Sequence, residues 1–174
     1  MLRLLLLRHS KAIPFAGSGD YERPLTERGR ADAARLGAFI GEEKISVAAA
    51  VHSGARRTLE TLAIVLGKLP SGTEVSVEPR LYEATNAEFL RVLRKTSHEI
   101  ATLLLVGHNP SIGEMAGLLA ARGDRRARAR MSAKFPTSAL AVIDFEVADW
   151  SALGEGEGRL VHFVTPASLG ADDE

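Results

Sequence analysis

Leu4-Leu5-Leu6-Leu7-Arg8-His9 and Leu103-Leu104-Leu105-Val106-Gly107-His108-Asn109-Pro110 are two apolar runs, each followed by a histidine. Short continuous apolar runs closed by polar or turn residues read as strands covered on both faces, as in a parallel sheet. Ligands of open α/β sheets bind beyond the carboxyl ends of the strands. Both imidazoles are therefore predicted to emerge where such a fold keeps its chemistry, with Arg8 beside the first. One histidine at a strand end is more often structural. Two at equivalent positions, one joined to an arginine, read better as a site.

Outward from these runs, strand-like and helix-like segments alternate, which predicts an α/β architecture in a single domain over residues 1–165 and a short C-terminal tail over 166–174. Residues 13–23, with Pro14, Gly17, Gly19 and Asp20, read as a loop. Thr26 is placed as N-cap of a helix whose apolar face is Ala33, Leu36, Gly37 and Ile40. A second strand is expected over 46–52, followed by a helix capped by Ser53 with Leu62, Val65, Leu66 and Leu69 buried. A short strand at 75–77 precedes a helix using Phe89, Leu90 and Leu93. After the strand at 101–106, Asn109 at N-cap and Pro110 at N1 are expected to start a helix with Ile112, Met115, Ala116 and Leu119 inward. Residues 139–147 and 160–164 read as edge strands, antiparallel to the rest, ahead of a frayed acidic end.

Composition narrows the function. The 174 residues suffice for one sizeable core. Lys and Arg total 22, as do Asp and Glu, so net charge points to neither nucleic acid nor an anionic membrane. There is no cysteine, which excludes thiol catalysis, disulfides and thiolate metal sites. No stretch approaches transmembrane length, and the leucine run is too short for a signal-peptide core, so a cytoplasmic location is the default expectation.

Arg8, His9, Ser53, Arg57, Glu83 and His108 all fall at predicted carboxyl ends of strands. Two guanidiniums beside two imidazoles make a poor cation site, and no metal or cofactor is expected. They suit a tetrahedral oxyanion, because the planar fork of arginine matches phosphate oxygens. Helix N-termini after Ser53 and Asn109 would add backbone N–H groups.

Five ordered blocks carry a resemblance. Leu7-Arg8-His9-Ser10 resembles the Arg-His-Gly motif of the histidine phosphatase superfamily, in its phosphoglycerate-mutase-like branch. Residues 20–29, residues 53–61, Gly107-His108-Asn109-Pro110 and Phe135-Pro136-Thr137 are together similar to the small SixA-type phosphohistidine phosphatases. The resemblance spans nearly the whole chain, from residue 2 to about 165. Ser10 stands where many members have Gly or Ala, and Gly54 where Pro is common. It implies a three-layer α/β/α fold with a mainly parallel sheet and an antiparallel edge.

The resemblance also implies roles. His9 would attack phosphorus and become a phosphohistidine, with Arg8, Arg57 and His108 holding the oxygens. Arg57 rather than Arg56 follows from family spacing; helical phase does not separate them. Ser53, Asn109 and Asp20 join the substrate-binding set. Glu83 is the expected general acid and Asp20 its rival. The connection from Val77 to Ala87 is short for a closing lid, which favours phosphohistidine on a partner protein over a metabolite that must be enclosed. A broad small-molecule phosphomonoesterase is the alternative, and a non-catalytic phosphate-binding module is the reading from another class. The dense basic patch Arg122–Arg130 reads as a solvated loop, or as a docking surface for an acidic partner through Arg125, Arg126 and Arg128.

Overall fold

A computed structural model describes residues 1–15 and 17–172. Its central strand is β1 (Leu2–Arg8), in which Leu4, Leu5, Leu6 and Leu7 are wholly buried. Strand geometry sends alternate side chains to opposite faces. Leu4 and Leu6 accordingly join one hydrophobic cluster, and Leu5 and Leu7 the other. A leucine buried in this way contributes on the order of 2 kcal/mol, an upper estimate against a compact unfolded chain.

The remaining strands are β2 (Ala49–His52), β3 (Glu74–Val77), β4 (Thr102–Gly107), β5 (Arg122–Gly123), β6 (Leu140–Phe145) and β7 (Arg159–Val164). They form one sheet in the order β3-β2-β4-β1-β6-β7-β5. The pairs β1–β4, β2–β4 and β2–β3 are parallel, whereas β6 is antiparallel to both β1 and β7. Helices α1 (Glu27–Glu42) and α2 (Arg56–Leu66) supply one face, through Leu36, Ile40, Leu62 and Val65. Helices α3 (Asn86–Arg94), α4 (Ser111–Leu119) and α5 (Arg125–Ala133) supply the other, through Phe89, Leu93, Met115 and Met131. This is the three-layer mixed-sheet architecture the sequence implies.

Several local expectations change. Thr26 does cap α1, accepting from the Gly29 N–H. The second strand is shorter than expected, and α2 ends at Leu66, so Leu66 and Leu69 are only partly buried. Ala55 takes the N-cap position of α2, because the Ser53 hydroxyl is engaged by a histidine instead. Helix α4 begins at Ser111, and the Asn109 amide binds the Phe135 carbonyl rather than the helix end. The strand β6 lies inside the sheet, flanked by β1 and β7, and the two-residue β5 forms that edge. Residues 122–130 are not a loop: they form β5 and most of α5, capped by Asp124, whose side chain accepts from the Ala127 N–H. The tail is partly ordered, with a 3-10 turn at Ala167–Leu169 against α1, while Asp173 and Glu174 of the expected frayed end lie outside the described residues.

Candidate active site

Register brings the two histidines together. In the parallel β1–β4 ladder Arg8 is paired with Gly107, so His9 and His108 are the next residues of adjacent strands. Their ring centroids lie 5.3 Å apart. On the other side of β4, His52 pairs with Val106, which carries Ser53 alongside His108. The third component comes from the first turn of α2. Arg56 is exposed and paired with Glu60, whereas Arg57 is only 5% exposed, on the face that also buries Thr58 and Thr61. Burial therefore decides between the two arginines where helical phase alone does not.

Hydrogen-bond chemistry fixes the histidine tautomers. The Nδ1 of His9 lies 2.8 Å from the Ser10 carbonyl, which can only accept, so Nδ1 carries the proton and Nε2 the lone pair. The Nε of Arg57 donates to that Nε2 at 3.3 Å. Arg57 Nη2, also only a donor, lies 3.3 Å from Nδ1 of His108. His108 then carries its proton on Nε2, 2.7 Å from the Ser53 hydroxyl. Ser53 can pass its own hydroxyl proton to Thr58 Oγ1, 3.2 Å away, and Thr58 donates to the Ala55 carbonyl. Ser10, the departure from the common motif, is buried; its N–H donates to Thr61 and its hydroxyl accepts from Ser138.

Electrostatics agrees with neutral rings. Burial, followed by the charges of Arg57 and Arg8, pushes His9 down to about 4, partly opposed by the Ser10 carbonyl. His108 falls to about 3, from burial first and then from His9 and Arg57. Arg8 is lowered by burial; its Nη1 donates to the Phe135 carbonyl, and its buried Nε meets no hydrogen-bond partner among the described residues. Asp20 moves down to about 2, first through the Tyr82 hydroxyl and then through Arg57 and Arg23. It accepts from Arg57 Nη2 at 3.1 Å, while its carbonyl accepts from Nη1 at 2.8 Å.

These groups line a cleft of about 260 Å³ comprising Arg8, His9, Asp20, Arg57, His108 and Asn109, with Arg23, Tyr82 and Glu83 at the same opening. Of the residues expected at the site, Ser53 alone lies behind the cleft, wholly buried against His108. Glu83 lines the cleft but is exposed. Sequence reasoning missed Tyr82 and Arg23. The Tyr82 ring stands edge-on to His108 at 5.4 Å and to Tyr21 at 5.1 Å, and its hydroxyl binds Asp20. An aromatic adjoining the expected Glu83 was the available signal. The arrangement gathers three guanidiniums and two neutral imidazoles, each with an unprotonated nitrogen facing Arg57, which is suited to capturing a tetrahedral oxyanion next to a nitrogen nucleophile. Among the described residues no group of three or more His, Cys, Asp or Glu is arranged to hold a metal, and no helix is long and apolar enough to cross a membrane.

Comparison with known proteins agrees with the geometry. The chain is 32% identical over 162 residues to Rv1276c, an uncharacterized protein of Mycobacterium tuberculosis, covering 92% of this chain and 99% of that one. A candidate SixA phosphohistidine phosphatase of Nakamurella multipartitia shares its fold at a TM-score of 0.80 and 26% identity, covering 95% of this chain and 96% of that one. Its counterpart from Agrobacterium tumefaciens matches at 0.78 and 26%, over 95% and 98% of the two chains. Residues 4–103 match the family pattern of the histidine phosphatase superfamily, branch 1, and the chain belongs to that superfamily as a phosphatase with the phosphoglycerate-mutase-like fold of its SixA-type members.

Proposed function

We propose that the protein removes the phosphoryl group from phosphohistidine on a partner protein through a covalent phospho-His9 intermediate. The observation that carries this reading is the unprotonated Nε2 of His9, its tautomer set by the Ser10 carbonyl and its lone pair met by Arg57 Nε, beside Arg8 and His108 in a small cleft open to the surface. A neutral imidazole is the reactive form. Nε2 attacks phosphorus, the P–N bond to the substrate ring, already protonated on its other nitrogen, breaks with its electron pair going to that ring so that neutral imidazole leaves, and water later hydrolyses phospho-His9. Arg8, Arg57 and His108 stabilise the charge on the oxygens that remain with phosphorus, the largest contribution expected in phosphoryl transfer. The positive charge comes from guanidiniums, so no metal is required by this route. Asn109 and Asp20 border the substrate, and Ser53 acts by orienting His108. The short Val77–Ala87 connection includes only a 3-10 turn at Pro79–Leu81 before α3, so a side chain presented by a protein has access.

The test combines trapping with a substrate panel. Brief incubation with labelled substrate and an alkaline quench leaves acid-labile phosphate on the wild type and none on His9→Ala. Label retained by His9→Ala overturns the nucleophile. A panel of phosphohistidine proteins, phosphoserine peptides and sugar phosphates gives the highest kcat/KM for phosphohistidine. Equal rates across the panel replace this reading with a broad phosphomonoesterase. Binding of phosphate without turnover of any substrate would identify a non-catalytic module.

A further inference from the structure

A second groove, of about 880 Å³, is more than three times the volume of the cleft and contains neither catalytic histidine. Among the described residues its walls carry Lys11, Arg28, Arg130 and Lys134 and the carboxylate of Asp32. That carboxylate is 4% exposed and is taken by Arg35 at 2.9 Å and Arg28 at 3.9 Å. In a chain whose formal charges cancel, the exposed Arg130 and Lys134 set side by side on one wall give the groove a local positive field, which a concave surface focuses. Arg130 and Lys134 are separated by one helical turn and both are exposed. Phe163 and Pro136 give the same groove an apolar part.

The groove is joined to the chemistry by the backbone. Lys11 lies two residues after His9. Pro136 follows Phe135, whose carbonyl accepts from both Arg8 Nη1 and Asn109 Nδ2. A chain lying in the groove therefore runs beside the same loops that hold the phosphate cleft. The structure also redistributes the basic patch of the sequence: Arg125 and Arg126 are exposed on α5 but do not line this groove, and Arg128 is half-buried with its Nε enclosed.

We infer that the groove docks an acidic segment flanking the phosphohistidine of the partner protein, with Arg130 and Lys134 determining specificity and Phe163 receiving an apolar side chain. The inference rests on the phosphohistidine reading above and adds to it where the partner sits. Rim charges of this kind select partners and speed encounter more than they alter chemistry. Charge reversal at both positions lies outside the catalytic cleft, which separates docking from turnover.

The experiment compares wild type with Arg130→Glu/Lys134→Glu on two phosphohistidine peptides, one with acidic and one with amide flanks, and on an aryl phosphate. In the double variant KM for the acidic peptide rises about tenfold with kcat within about twofold, and the other two substrates stay within about twofold. The difference shrinks between ~50 mM and ~500 mM salt. An equal KM rise for both peptides, or none, overturns the inference. So does a change of oligomeric state in the variant, which makes the face a self-interface. An acidic-peptide KM that ignores flank charge but falls on removal of residues 172–174 assigns the groove to the chain's own acidic end, with the same consequence. If the wild type turns over the aryl phosphate but neither phosphohistidine peptide, the functional reading fails independently. Fluorescence anisotropy with the unphosphorylated acidic peptide then decides the groove, and binding lost in the double variant supports it while absent binding overturns it.

Discussion

Mild acid is the perturbation that tests the site's electrostatics most directly. His9 and His108 are held neutral, at about 4 and about 3, against an ordinary value of 6.5. In the unfolded chain both titrate near 6.5, so between that pH and the folded values the unfolded state binds more protons. Stability is therefore fully present above pH 6.5 and is lost as pH falls toward the folded values. Each group contributes a loss of about 1.4 kcal/mol per pH unit inside the window, or about 2 kcal/mol each between pH 7.5 and 5. Against a typical stability of about 5–15 kcal/mol the sum is large. Asp20, moved down to about 2, titrates below this window and does not contribute to it. Urea unfolding of wild type and His9→Gln at pH 7.5, 6.5, 5.5 and 5 isolates the first histidine, because other groups are common to both proteins. The wild type is expected to lose about 2 kcal/mol more than the variant over that range. Parallel losses refute the claim that folding holds His9 neutral. With His9 as the proposed nucleophile the same ionisation sets reactivity, so the acid limb of kcat/KM attributable to it is expected near 4 instead of near 6.5.

Oxyanion binding should bring a proton with it, since His108 Nδ1 carries a lone pair in the free site. Calorimetric titration with tungstate in buffers of different ionisation heat should show uptake of about one proton and weaker affinity at higher pH, by up to about tenfold per unit; zero uptake would leave His108 neutral in the complex. Glu83→Gln is expected to slow an alkyl phosphate by on the order of 10²-fold and a phosphohistidine substrate much less. A uniform loss makes Glu83 a positioning residue, and no loss shows that it does not supply the proton. Gly29→Ala should destabilise despite the helix propensity it gains, roughly 1 kcal/mol, because a Cβ there meets the Lys11 carbonyl oxygen at 2.1 Å. A higher denaturation midpoint for that variant would show that Lys11 and α1 separate easily.

Most of the sheet and helix order was legible because leucine runs and i, i+3, i+4 stripes report burial, and burial is what the layers consist of. Thr26 and the stripe Ala33, Leu36, Ile40 lie where periodicity placed them. The conversion of Arg122–Arg130 from loop to strand and helix was not legible. An arginine-rich helix is anchored here by one buried side chain, Met131, and by the Asp124 cap, leaving almost no apolar periodicity to detect. At the site, the strand-end rule located His9 and His108, but it could not see which hydroxyl or carbonyl would meet each ring. Ser53 looked like a cap because its type and position allow one. The β2–β4 register instead places it against His108, and that register is a long-range property. Tyr82 and Arg23 were missed for a related reason: their function depends on two loops, 20–23 and 79–83, closing on Asp20.

Asp20 connects this geometry to the choice of leaving group. An alkoxide expelled from a phosphoester needs a proton from a positioned acid. Asp20 is ionised across the physiological range, and its oxygens are already engaged by Tyr82, Arg23 and Arg57. It is thus arranged to orient Arg57: by taking Nη1 on its carbonyl and Nη2 on its carboxylate, it leaves Nε directed to His9 and shares Nη2 with His108. A carboxylate committed in this way improves the electrophilic side of the site at the expense of proton donation. Phosphohistidine tolerates that trade, because its imidazole departs with a proton already on the second ring nitrogen. On the proposed reading the ionised aspartate suits a nitrogen leaving group, and the ratio of phosphohistidine to alkyl-phosphate turnover measures how far the site is committed to it.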